Sequence, residues 1–273
     1  MKYASRIYIT LIFGILYIPI LTLILFSFNS ANSTALFEGF SLRWYRELFS
    51  SPETFTALRN TLILAVLSAL ISTVIGTAAA EGIYKMRSHF AKTSITSVTN
   101  IPMMNPDIVT GMSMMLFFVA VFGVLSIEYD NVGFLAMLIS HTTFCLPYVI
   151  LSVLPRINEL GDTLSEAALD LGCTPIQAFF KVKLPNIMPG VLSGMIMAFT
   201  LSLDDFVISY FVGSSNFQTL PLLIYSMTKK KVTPDMYALS TLVIVTIFVL
   251  LIISNIRSTK KLDNRKKGGA KRK

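Results

Sequence analysis

Charge is the scarcest commodity in this sequence. Of its 273 residues only 14% are charged, where soluble domains carry about 25%, so a water-facing surface cannot be covered. That excludes a soluble enzyme, a secreted disulfide scaffold and a disordered regulator. Cysteine is nearly absent too. Cys145 falls in an apolar run and Cys173 in a polar connection, so the two cannot pair and report no oxidising framework. There is one tryptophan. No G-x-x-x-x-G-K-[ST] phosphate loop occurs, so the chain does not hydrolyse ATP itself. Neither H-E-x-x-H nor C-x-x-C is present, so no metal or redox chemistry is indicated. What is abundant is apolar: 53% hydrophobic residues and a mean hydropathy of +0.67. Six spans of roughly 20 residues would use ~120 positions, close to half the chain. The composition predicts an all-α integral membrane protein.

Six apolar segments carry that expectation: 7–28, 60–84, 95–125, 132–154, 187–212 and 237–256. The first could pass for a signal peptide, since Lys2 and Arg6 precede it and Ser33-Thr34-Ala35 resembles a cleavage site. Its apolar run of about 22 residues exceeds a signal h-region and contains Pro19, so it reads as an uncleaved span. The 23 basic residues against 15 acidic ones give a net charge of +8. Nine of the basic residues lie in 257–273, a tail suited to anionic lipid on the cytoplasmic side rather than to nucleic acid. With both termini inside, the inner segments hold 17 basic residues and the outer loops 6. The asymmetry places both termini in the cytoplasm. The three lysines 229–231 are the discordant feature. The chain then divides into one six-span domain, 1–256, and a basic tail, 257–273.

The connection 155–186 is the most informative stretch. Leu164, Ala167, Ala168 and Leu171 follow the spacing of a helical stripe. Thr163 with Glu166 predicts a capping box, and Gly172 a stop. Thr174, Pro175 and Gln177 predict a second capped start, with Ile176, Phe179 and Phe180 on its apolar face. The result is a short helix–turn–helix along the inner membrane surface, ended by Leu184-Pro185. One reading is an interfacial hairpin linking two spans. The small side chains Ala167 and Ala168 suit close approach of another protein instead.

Glu166-Ala167-Ala168, Gly172, Val182 and Leu184-Pro185 resemble the EAA loop of ABC importer permeases, with Val182 where that family commonly has Ile. The likeness extends over Arg43-Trp44-Tyr45, Asn105-Pro106-Asp107-Ile108-Val109, Ser140-His141, Phe144-Cys145-Leu146-Pro147 and Leu201-Ser202-Leu203-Asp204-Asp205. These look like the polyamine permease subfamily, closest to the PotC-type subunit of spermidine/putrescine importers. The resemblance implies a type I ABC importer permease (MetI-like) fold whose loop 159–185 forms a coupling helix on a cytoplasmic ATPase. Glu166, Ala167, Ala168, Gly172, Leu184 and Pro185 are then the coupling residues. It further implies a second homologous permease, an ABC ATPase dimer that binds the ATP, an extracytoplasmic polyamine-binding protein and a bacterial cytoplasmic (inner) membrane location. No cofactor is expected in this chain.

Intramembrane charge points to a cation on separate grounds. A carboxylate at the bilayer centre costs about 2.5–3.5 kcal/mol, so such residues face a cavity or a partner. Counted along one helix, Asp107 lies roughly 22 Å beyond Lys92; Asp204 and Asp205 reach a comparable depth. No Lys or Arg within the spans neutralises them, and ammonium groups suit carboxylates and aromatic faces. Adjacent helical residues point about 100° apart, which gives Asp204 and Asp205 different tasks, one on the path and one at an interface. Protonated helix–helix contacts are the alternative for that pair; a capping carboxylate where the helix restarts after Pro106 is the alternative for Asp107. Trp44 and Tyr45 in an outer loop are either interfacial anchors or a cation–π entrance to the path. His141 reads as an interhelical hydrogen-bonding group ahead of a proton relay or metal ligand.

The expectation is a permease subunit of an ATP-driven importer for spermidine/putrescine, not an enzyme. Two other readings remain open at this point: an ABC permease for putrescine alone, ferric ion or another small cation, and an ion-coupled secondary carrier. The EAA hairpin argues against the second, since such a carrier has no ATPase to seat.

Overall fold

The computed structural model describes residues 2–31, 36–214, 216–230, 235–246 and 248. Among them the secondary structure is helical, with one isolated antiparallel bridge between Asn29 and Phe40. The helices are α1 (Lys2–Ser27), α2 (Arg43–Ser50), α3 (Pro52–Lys85), α4 (His89–Met104), α5 (Asp107–Val124) and α6 (Tyr129–Leu160). There follow α7 (Thr163–Asp170), α8 (Pro175–Ala178), a π-helical turn (Phe179–Lys183), α9 (Leu184–Asp204), α10 (Val207–Val212) and α11 (Leu220–Lys230). A shorter apolar helix, α12 (Asp235–Thr246), completes the described chain.

Among the described residues five helices are long and apolar enough to cross a membrane. They are Arg6–Ser27, Pro52–Lys85, Asp107–Val124, Val132–Leu160 and Pro175–Asp204. α12 begins the expected sixth span at 237–256; most of the rest of that segment, and the whole basic tail, lie outside the described residues. The expected third span, 95–125, is not one helix. It breaks at Asn105-Pro106 into α4 and α5, because proline disfavours a helical conformation in the residue before it. Ser88 caps α4 by accepting from the Ala91 amide.

The chain forms two compact units, with the division falling inside α3. Unit 1 comprises residues 1–58 and 220–273. Its small core gathers Leu48, Ala57, Leu220, Leu223 and Leu239. The apolar stretch of α1 has no buried residue within the chain.

Unit 2, Arg59–Thr219, holds the larger core. α6 packs along α9, and α5 along α10. The α6–α9 contact is close because Gly190 and Gly194 present no side chain. A Cβ at Gly190 would stand 2.8 Å from the Ser152 carbonyl oxygen, and one at Gly194 would stand 3.1 Å from the Val149 Cα. Four residues on, the Cys145 thiol donates to the Ala198 carbonyl. Small residues at this spacing let two backbones approach where helices meet in a membrane. At the entry to α6 the Tyr129 hydroxyl donates to the Val212 carbonyl at 2.8 Å, and burial raises its pKa above 10.0.

Candidate functional site

The carboxylates expected at depth in unit 2, Asp107 and the pair Asp204-Asp205, stand at helix interruptions. Asp107 is the first residue of α5, exposed, directly after the Asn105-Pro106 break. Its depth therefore does not follow from counting along a single helix from Lys92. The fifth expected span is likewise interrupted: α9 stops at Asp204 and α10 starts at Val207. Asp204 and Asp205 are not successive residues of one continuous helix, and they differ more sharply than a 100° rotation requires. Asp204 is exposed, whereas the Asp205 side chain is only 6% exposed.

Asp205 is engaged by its own unit. Its carboxylate accepts the amide N–H of Ser209 at 2.9 Å and that of Ile208 at 3.3 Å, closing the first turn of α10. A carboxylate at a helix start satisfies orphan amides and favours the positive end of the peptide dipoles. His141 Nε2 lies 3.4 Å from the same carboxylate and 3.2 Å from Ser209 Oγ. On its other side His141 Nδ1 meets Ser202 Oγ at 2.8 Å, and Ser68 Oγ donates to Ser202 Oγ at 2.8 Å. The His141 reading as an interhelical bonding group matches this geometry, which joins α3, α6, α9 and α10. The inclusion of Asp205 and Ser68 was not legible, since nothing in spacing pairs residues 68, 141 and 205.

The helix that follows one interruption packs against the helix that follows the other. Gly111, one turn after Asp107, sits so close to α10 that an added Cβ would meet the Phe211 ring at 3.0 Å and the Val207 carbonyl at 3.4 Å. That is the turn Asp205 caps. Asp107 and Asp204 are exposed carboxylates, each at a helix end, and a carboxylate beside freed backbone carbonyls can hold a cation. No cluster of three or more metal-ligating side chains occurs among the described residues.

The connection after α6 forms the expected hairpin, with two corrections. α7 lacks the Thr163–Glu166 capping box: Asp162 occupies the cap position and makes no side-chain cap bond, its carboxylate lying 3.9 Å from Lys183 Nζ. Gly172 ends this helix in a left-handed conformation (φ +85°), and the Thr174–Gln177 capping box with Pro175 forms as read from the sequence. The second correction is at Leu184-Pro185. These residues do not end the hairpin, because helix continues from Pro175 to Asp204. The π-turn, in which the Leu184 amide reaches back to the Phe179 carbonyl, precedes proline and accommodates its missing N–H early in α9. Glu166 and Ala167 are exposed and Ala168 is buried. Leu164, Leu171, Ile176 and Phe180 present apolar surface outward.

At the root of the hairpin lies a cluster the sequence reading missed. Lys183, 3% exposed, places Nζ 3.0 Å and 2.9 Å from the two carboxylate oxygens of Glu81. The ammonium stands 4.4 Å from the centre of the Tyr84 ring, and Lys85 also pairs with Glu81 at 3.0 Å. Glu81 and Lys183 are 102 residues apart, and the sequence reading counts Lys183 only among the inner basic residues.

In unit 1, Trp44 and Tyr45 are helical rather than in a loop. Trp44 is buried, donates its indole N–H to the Asn29 carbonyl at 2.7 Å, and already carries the Arg43 guanidinium 5.0 Å above its ring. Tyr45 shares a 2.7 Å hydrogen bond with Ser27. Both tie α2 to the end of α1. Lys229 lies 4.7 Å over the Tyr225 ring, while Lys231 is outside the described residues.

Comparison with known proteins gives concordant matches. A family profile described as binding-protein-dependent transport system inner membrane component matches residues 72–268. The putrescine transport system permease protein PotI of Escherichia coli (strain K12) is 38% identical over 240 residues, 88% of this chain and 85% of that protein. The spermidine/putrescine transport system permease protein PotC of the same strain is 37% identical over 254 residues, 93% of each. Among solved structures, a bacterial ABC transporter involved in the import of the acidic polysaccharide alginate has a chain of the same fold. It aligns with a TM-score of 0.76 at 16% identity over 95% of both chains.

Proposed function

The chain belongs to the family of binding-protein-dependent transport system inner membrane components, and on that premise we propose that it is a permease subunit of an ATP-driven importer of polyamines. The observation that carries the cargo assignment is 37–38% identity, over most of each chain, to two permease proteins of putrescine and spermidine/putrescine systems. The exposed carboxylates of Asp107 and Asp204, each at a helix end, support it, because a polyamine offers ammonium groups at spaced intervals.

A second, similar permease encloses the path together with this chain. A cytoplasmic ATPase dimer binds ATP and seats the exposed face of α7 and α8, where Glu166, Ala167 and Gly172 shape the contact. An extracytoplasmic binding protein delivers the polyamine. Both termini lie in the cytoplasm, as the distribution of basic residues favours. Closure of the ATPases moves the hairpins and turns the cavity outward. Asp204 and Asp107 contact the passing cation, whereas Asp205 holds the end of α9 and the start of α10 in place beneath them.

The test is ATP-dependent uptake of labelled spermidine into proteoliposomes containing the complete complex, with unlabelled putrescine as competitor. Uptake that requires ATP and is reduced by putrescine is the expected result. A complex that hydrolyses ATP yet accumulates no spermidine would overturn the cargo.

A further inference from the structure

The hairpin reading accounts for the exposed face of α7 and α8 but not for the buried charges at their root. Lys183 is almost wholly buried, yet it belongs to a connection that is otherwise largely exposed. A buried ammonium is retained only where it is paired and hydrogen-bonded. Here both carboxylate oxygens of Glu81 lie within 3.0 Å, and the Tyr84 ring covers the ammonium. Glu81 and Tyr84 are in the last turns of α3; Asp162, 3.9 Å from the ammonium, stands at the cap position of α7. One side chain therefore ties together the end of one membrane helix, the start of the hairpin and the π-turn that leads into another.

The connectivity gives this tie a mechanical meaning. Helix continues from Pro175 to Asp204, so a displacement of α8 is carried directly into α9. The path to α3 is different, since α3 is joined to the hairpin only through a long stretch of chain. Lys183 supplies the short route. It is the last residue of the π-turn, a distortion that sets the direction of its side chain one residue out of α-helical register.

We propose that the Lys183–Glu81 pair is a positioning link that makes α3 and α9 move together when the hairpin is displaced. This rests on the reading of α7 and α8 as the ATPase-docking element. The pair does not touch cargo or nucleotide; it acts by transmitting the hairpin movement to the second helix. A purely structural ion pair and a transmitting one respond differently when both charges are removed. Deleting one partner strands the other buried, whereas replacing both with apolar side chains commonly restores stability.

The experiment uses the full complex in proteoliposomes and reads labelled spermidine taken up per ATP hydrolysed, with the thermal unfolding midpoint of each complex measured alongside. Lys183→Met should lower the ratio about tenfold, within the range of energetic coupling between sites, and lower the midpoint. The double variant Glu81→Leu/Lys183→Met should recover the midpoint but not the ratio. Lys183→Arg, which keeps the charge, should retain most of the ratio. Recovery of the ratio together with the midpoint in the double variant would overturn the proposal and leave the pair purely structural. So would a wild-type ratio in Lys183→Met. Failure of the underlying functional reading is distinguishable, because it appears as absence of ATP-dependent uptake in the unmodified complex.

Discussion

At the scale of single residues, Asp204 and Asp205 show how two neighbouring carboxylates acquire different work from one backbone break. Asp205 accepts two amide N–H groups and faces His141. Its replacement by Ala removes hydrogen bonds to a charged acceptor worth about 1.5–3 kcal/mol each, partly offset by relaxation. Asp205→Ala should lower the unfolding midpoint of the purified complex by several degrees, read by scanning fluorimetry. Asp204 is exposed and has no such structural debt, so Asp204→Asn should leave the midpoint unchanged. Spermidine uptake in that variant should fall about tenfold, equivalent to roughly 1.4 kcal/mol of lost cation stabilisation. Unimpaired uptake by Asp204→Asn would remove it from the path. Gly172 gives a third residue-scale expectation. At φ +85° a side chain costs about 1–2 kcal/mol, and the space around its Cβ is open, so the penalty is conformational rather than steric. Gly172→Val should therefore reshape the end of α7 and reduce uptake per ATP hydrolysed, while the complex still assembles by co-purification. The glycine stop was legible because left-handed helix ends select glycine. The Asp205–His141–Ser202–Ser68 chain was not, because it depends on how four helices face one another.

At the scale of elements, proline and small residues decide where helices break and where they touch. Asn105-Pro106 lies inside one expected span, with a helix restart weighed only for Asp107, and it divides α4 from α5. Leu184-Pro185 was read as a stop, yet the helix passes through it by way of the π-turn. The local signal is the same in both places. The outcome differs because Pro185 sits in the opening turn of α9, where its missing N–H is tolerated, and the wider π-turn relieves its ring. The α9 stop at Asp204 was equally invisible, as no Gly or Pro marks it. Contact between α6 and α9 turns on Gly190, where an added Cβ would stand 2.8 Å from backbone. Overpacking of this kind costs about 1–3 kcal/mol. Gly190→Val should separate the helices, reduce the yield of folded complex and lower its unfolding midpoint. An unchanged midpoint would mean that the two helices adjust without loss, and the close approach would carry no stability.

For the whole molecule, the scarcity of charge that opens the sequence reappears as uncovered apolar surface. Twelve large hydrophobic side chains of α1 between Ile7 and Leu25 are exposed within the chain. At about 1.5 kcal/mol for each such side chain removed from water, leaving them hydrated would cost on the order of 15–20 kcal/mol. That exceeds the net stability of a typical domain, about 5–15 kcal/mol, so α1 must be covered by lipid or by another chain. α5 adds to this: Ile108, Val109, Met112, Leu116, Phe117 and Val119 also face outward. The expected outcome is retention of the chain in the membrane pellet after washing at alkaline pH in carbonate, and release only by detergent. Deletion of residues 1–27 should leave the truncated chain in the pellet, because α3, α5, α6 and the helix ending at Asp204 remain long and apolar enough to cross. Release of the truncated chain by carbonate would mean that these helices do not insert without α1, and the apolar face of α5 would then have to be covered by protein rather than lipid.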